Sequence, residues 1–213
     1  MKRRQALKNI GLGAGFLVAS PTIMSLLQSC TNEPEFNPLF ITKGEGHALR
    51  RVVDLIIPSD DTVPGAVDVG VHSFIDSFWN EVLPEKEQAL VKVSFTVFGD
   101  KFRSTFDKEL EAGKPEEFDQ LMAQYLKTSN EEQKAFGEKM DEFYSAYEKD
   151  PTALPDTDAA MFSLLSNIRG MTIWSWKTSE QIGENVLWYD PVPGQHKGCL
   201  PLSDAGNGKV MSL

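Results

Sequence analysis

Histidine and cysteine are scarce, at three and two in 213 residues. His47, His72 and His196 fall in separate stretches, so a multi-histidine metal site is not expected. No Cys-x-x-Cys or Cys-x-x-Cys-His occurs, which excludes a zinc ribbon and covalently attached haem. The Gly-x-Ser-x-Gly elbow of many hydrolases is missing as well. The one glycine-rich stretch, Gly11-Leu12-Gly13-Ala14-Gly15, sits in an apolar leader with no strand before it, and fails as a dinucleotide fingerprint. Paired acids (Asp60-Asp61, Glu116-Glu117, Glu131-Glu132) fall in a polar loop and in expected first turns, where they favour the helix dipole. Neither a catalytic, a cofactor-binding nor a metal-binding residue is expected, and hence no catalysis by the chain alone.

Positive charge is in deficit. Lys plus Arg number 21 against 31 Asp plus Glu, a formal charge of −10. Four of the bases, Lys2, Arg3, Arg4 and Lys8, lie in the first 29 residues without an acid, so the remainder is more acidic still. Such a surface repels phosphate backbones, and no nucleic-acid partner is expected. With 41% apolar and 24% charged residues, the chain can build a core and is not globally disordered.

The opening is a segment apart. A basic stretch to Asn9 precedes an apolar stretch from Ile10 to Leu27 and then Cys30, the layout of an export signal over residues 1–29. Gly11, Gly13, Gly15, Pro21 and Ser25 make it a weak permanent membrane span, and cleavage is the expectation. Lys2-Arg3-Arg4-Gln5-Ala6-Leu7-Lys8 resembles a twin-arginine export motif with Ala6 in place of the usual Phe; the alternative is a plain basic leader. Leu27-Gln28-Ser29-Cys30 resembles a lipoprotein cleavage box, which would put diacylglycerol on Cys30; the alternative is an incidental cysteine. The expected location is therefore the periplasmic side, anchored to a membrane by lipid. Residues 30–41, with Pro34 and Pro38, read as a polar tether. With Cys30 lipidated, only Cys199 remains, either buried as a free thiol or paired with another chain.

The body, residues 42–202, reads as one all-α helical-bundle domain. Thr42-Lys43-Gly44-Glu45 has capping-box form before Leu49, Val52, Val53 and Ile56. A second run holds Val71, Phe74, Ile75 and Phe78, ending at Pro84. A third, from Glu85 to about Glu111, carries one stripe of Leu90, Val93 and Val97 and another of Phe95, Phe98, Phe102 and Phe106. Two stripes predict burial on both sides at the centre of the bundle. Pro115, Ser129-Asn130 and Asp156 open three more helices, the last carrying Met161, Leu164, Leu165, Ile168 and Met171. From Trp174 to Leu202 an extended tail is expected, rich in aromatics and in Pro191, Pro193 and Pro201. It either packs on its own core or lies on another protein. Residues 203–213 read as a flexible end.

Three pieces together resemble one family. They are the twin-arginine leader, Val53-Asp54-Leu55-Ile56-Ile57-Pro58 with Thr62-Val63-Pro64-Gly65-Ala66, and Tyr189-Asp190-Pro191-Val192-Pro193-Gly194 with Gly198-Cys199-Leu200-Pro201. The chain is similar to the gluconate 2-dehydrogenase subunit 3 family, small subunits of membrane-associated flavin dehydrogenases. The resemblance implies a large partner of the glucose–methanol–choline type that holds FAD and oxidises a sugar, sugar acid or polyol. It also implies onward electron transfer to a cytochrome subunit or quinone-linked acceptor. Arg3 and Arg4 would then engage the twin-arginine export machinery for both subunits, and Cys30 would anchor them. Cys199 is the residue to which an intersubunit disulfide of some relatives carries over. Trp174, Trp176, Trp188, Tyr189, Asp190, Pro191 and Pro193 are the expected partner-binding residues. A different class of function also fits: a lipid-anchored module that binds carbohydrate alone, stacking it on Trp174, Trp176 and Trp188.

Overall fold

The computed structural model describes residues 36–192, 194, 198–201 and 203–212. Seven α-helices are present among them: α1 (Lys43–Ile56), α2 (Val71–Glu81), α3 (Glu85–Phe106), α4 (Pro115–Leu126), α5 (Asn130–Tyr147), α6 (Thr157–Thr178) and α7 (Glu180–Asn185). Short 3-10 turns lie at Leu110–Ala112 and Gly206–Gly208. The all-α class expected from the sequence is the one observed.

Caps explain where the helices begin. The Glu45 amide donates to the Thr42 hydroxyl while the Thr42 amide donates to the Glu45 carboxylate at 2.8 Å, a reciprocal capping box. Ser129 and Glu132 repeat it at α5. Asp156 accepts from the Ala159 amide at 3.0 Å to start α6. Proline at the first position opens α4, where no amide hydrogen is missed. Helix α3 ends at Phe106, short of the expected boundary, because Asp107 takes a left-handed conformation (φ 55°) that aspartate tolerates better than most residues.

The centre of the bundle differs from expectation. Helix α3 does present its two stripes to two clusters: Phe95, Phe98 and Phe102 enter the main core, while Leu90 and Val93 pack against Met140, Phe143, Ala159 and Ala160. Yet α6 is the hub, touching α1, α2, α3, α4, α5 and α7. Its buried residues include Ala159, Ala160, Leu165, Ile168, Thr172 and Ser175, so several faces are covered at once. Small side chains let neighbours approach, and the Thr172 and Ser175 hydroxyls donate to the Ile168 and Met171 carbonyls at 2.7 Å, which makes them tolerable inside. Through the main core runs a chain of rings, Trp79 to Phe95 to Phe98 to Phe118 to Phe102, with centroids 4.8–6.4 Å apart. Aromatic pairs in this range contribute roughly 0.5–1.5 kcal/mol each beyond the area they bury.

Two polar constructions sit inside this apolar frame. Asp76 of α2, only 1% exposed, accepts from three consecutive amides, Leu39 at 2.6 Å, Phe40 at 3.1 Å and Ile41 at 3.2 Å. This latch fixes the strand of chain that enters α1. Elsewhere the Tyr125 phenol donates to Asp158 at 2.7 Å, and Lys101 stands 3.5 Å from the same carboxylate. Burial, reinforced by Asp158, pushes the Tyr125 phenol well above its ordinary value.

Candidate partner interface

The expected extended tail is partly helical. Trp174 and Trp176 belong to α6, which continues to Thr178, and α7 follows almost at once. Prolines begin only at Pro191, so their preference for extended backbone acts well beyond these tryptophans. The three tryptophans therefore have three different environments.

Trp176 faces inward. It packs against the main core, and its indole N–H donates to the Pro64 carbonyl at 2.9 Å, joining positions 112 residues apart. The loop it grips is tightly self-bonded. Asp60 accepts from the Thr62 and Val63 amides, the Ala66 amide donates to the Ile57 carbonyl, and Asp68 accepts from the Gly65 amide. The Thr62 hydroxyl, donating to Asp60 at 2.7 Å, and then the Thr62 and Val63 amides hold the Asp60 carboxyl below its usual range. A Cβ at Gly65 would stand 2.5 Å from the Ser59 nitrogen, so any other residue there forces the turn to shift.

Trp188 is half-buried at a clasp. Its amide donates to the Val210 carbonyl at 2.9 Å, and its carbonyl accepts from the Ser212 amide at 3.0 Å, giving an isolated parallel bridge to Met211. Gly206 (φ 55°) lies directly against the indole, where a Cβ would come within 2.3 Å of the ring. Val210 and Ser212, within the end expected from the sequence, thus pair with Trp188.

Trp174 faces outward, 52% exposed, with its ring 5.6 Å from that of Phe74 on α2, itself 41% exposed. Phe74 leads to Phe78 at 6.1 Å, and Phe78 enters a groove of about 440 Å3 between α2, α3, α5 and α6. Trp79, Leu83, Val91, Tyr144, Tyr147 and Met171 line its apolar part. Signals for this groove exist in the sequence (Phe74 and Phe78 at i, i+4; Tyr144 and Tyr147 at i, i+3), but they read there only as core stripes.

The remaining expected residues are scattered. Tyr189 and Pro191 are exposed and Asp190 is half-buried. Cys199 is exposed. Arg3, Arg4, Cys30 and Pro193 lie outside the described residues. His47 bonds the Gly113 carbonyl at 2.9 Å beside Phe118, a packing role. Among the described residues no three His, Cys, Asp or Glu side chains gather as a metal site, and no helix is long and apolar enough to cross a membrane. What the geometry offers is an apolar groove continuous with a pair of exposed aromatic rings, a surface suited to another macromolecule.

A search of curated proteins and a search of solved structures each gave no match. A family model described as Gluconate 2-dehydrogenase subunit 3 matches residues 43–194, which takes in α1 to α7, the Pro64 loop and Trp174, Trp176 and Trp188 and stops before Cys199. On that match across most of its length, the chain belongs to the gluconate 2-dehydrogenase subunit 3 family.

Proposed function

We propose that the chain is the non-catalytic small subunit of a periplasmic FAD-dependent dehydrogenase acting on a sugar, sugar acid or polyol. The family match over residues 43–194 carries this reading. The large subunit, of the glucose–methanol–choline type, holds the flavin and does the oxidation. The small subunit binds it once folded, takes it through the twin-arginine machinery by Arg3 and Arg4, and keeps it at the membrane by lipid on Cys30. A cytochrome subunit or quinone-linked acceptor receives the electrons. Two features support a binding role: the exposed Trp174–Phe74 pair and the adjoining apolar groove. The competing carbohydrate-module reading is weakened because Trp176 and Trp188 are engaged within the chain, which leaves Trp174 as the one outward-facing ring of the three.

Deletion of the gene is the test. Without this chain, active flavoprotein in the periplasm should fall to background while its cytoplasmic amount persists. Normal periplasmic activity in the deletion strain would refute the escort role. Titration of the full chain with mono- and oligosaccharides should give no saturable change in tryptophan fluorescence; a saturable response would favour the carbohydrate module.

A further inference from the structure

Resting on that reading, we infer that the groove between α2 and α6 is where the large subunit docks, and that it receives a short amphipathic helix with basic residues at one end. Three observations lead there. First, the apolar surface is continuous. Phe74 meets Trp174 in a tilted ring pair, Phe78 follows one turn later on α2, and Phe78 and Met171 open into the groove floored by Trp79. From Phe74 to Glu81, where α2 ends, the path covers seven residues, about 10 Å at the helical rise, the length of two turns of a partner helix. Anchors at i, i+4 and i+7 would span it.

Second, the rings at the outer end are uncovered. Trp174 and Phe74 are about half exposed, and Ile173 beside them is 48% exposed. Large aromatics in such positions are over-represented among residues that carry binding energy.

Third, the other end is acidic. Glu87 lines the groove, Glu81 and Glu85 are exposed on either side of the α2–α3 turn next to it, and of the bases nearby Lys86 is tied to Glu148 at 2.7 Å and Lys149 follows Glu148, which leaves an excess of acid. An occupant with Lys or Arg at that end gains complementary charge. A second copy of this chain does not: it brings the same acids and a formal charge of −10 against −10. The charge pattern thus selects a basic-ended partner over self-association.

The experiment uses the full chain, affinity-tagged and co-expressed with the large flavin subunit, with flavin absorbance as the readout of capture. Trp174→Ser and Phe74→Ser change half-exposed positions, and their urea midpoints, measured in parallel, should fall only by the small amount that losing one ring pair costs, with the cooperative transition kept. Each should lower affinity about 10- to 100-fold, the scale of an interface anchor. The Glu85→Lys/Glu87→Lys pair should slow association at low salt, with the difference shrinking at high salt. Capture by the unaltered chain with equal capture by all variants would overturn the docking site and leave the escort role standing. No capture by the unaltered chain would overturn both. Sedimentation of the chain alone covers the remaining occupant: a dimer that Trp174→Ser converts to monomer would assign the groove to self-association and refute the proposal.

Discussion

Replacing Asp76 with alanine should loosen the chain's entry into the domain more than any other single polar substitution. The carboxylate accepts three amides and is buried, so its loss leaves three donors without a partner. A hydrogen bond to a charged group contributes about 1.5–3 kcal/mol, and an orphaned buried donor costs about 1–3 kcal/mol. Only the Ile41 bond is fully buried; Leu39 and Phe40 regain water once released, so the three do not add in full. The expected loss is about 3–5 kcal/mol, or a fall of roughly 10 °C in Tm for a domain of this size. Asp76→Asn retains one acceptor oxygen but turns an NH2 toward amide donors, and should lie between alanine and the unaltered chain. Urea unfolding of the full chain measures both, with hydrogen exchange at Leu39, Phe40 and Ile41 as the local readout. Trp79 is a built-in reporter, since its ring lies 6.4 Å from Phe40. A loss below about 1 kcal/mol with the three amides still protected would refute the latch.

Trp176→Phe keeps most of the buried ring and removes the bond to Pro64, so urea unfolding should show a loss of about 1 kcal/mol; no change would mean the bond is immaterial. Gly65→Ala should cost about 1–3 kcal/mol by the same assay, since the new methyl meets the Ser59 backbone and not a flexible side chain. Acid should destabilise the fold. The Asp156 carboxyl is lowered by Lys139 and the Ala159 amide, and Glu117 by Lys108 and the Lys114 amide, so the unfolded chain takes up protons first. Their contribution is complete above the ordinary carboxylate range and is lost as pH falls through about 4 and below; a urea midpoint unchanged from pH 7 to pH 3 would contradict this. Cys199→Ser should remove a heavier band from non-reducing gels of the purified complex if the exposed thiol bridges the subunits, and an unchanged pattern would exclude the bridge.

Much of the helical frame was readable because caps are local. Thr42 with Glu45, Ser129 with Glu132, Pro115 and Asp156 each announce a helix within four residues, and the helices start there. What lay beyond reach depends on distant partners. Asp76 stands one residue from Ile75 in an apolar run, a cue that something buried must satisfy it, but its donors are more than 30 residues away. The run Trp174-Ser175-Trp176 lacks a clean apolar stripe because the two rings serve opposite surfaces, one donating to Pro64 and the other set at a tilt against Phe74. Helix α6 did not read as the hub for a related reason: when several faces are covered, no single periodic stripe stands out.

The position of that hub late in the chain affects how the protein is made. Helices α1 to α5 leave the ribosome before the helix they all pack against exists. At 5–20 residues per second, about 6 to 23 s separate synthesis of Lys43 from that of Thr157. Through that interval the faces that α6 will cover have only the other early helices to pack on, so chaperones have their longest access to the nascent chain then. Folding completes only after Thr157–Thr178 has emerged, so the order of synthesis sets the order of assembly.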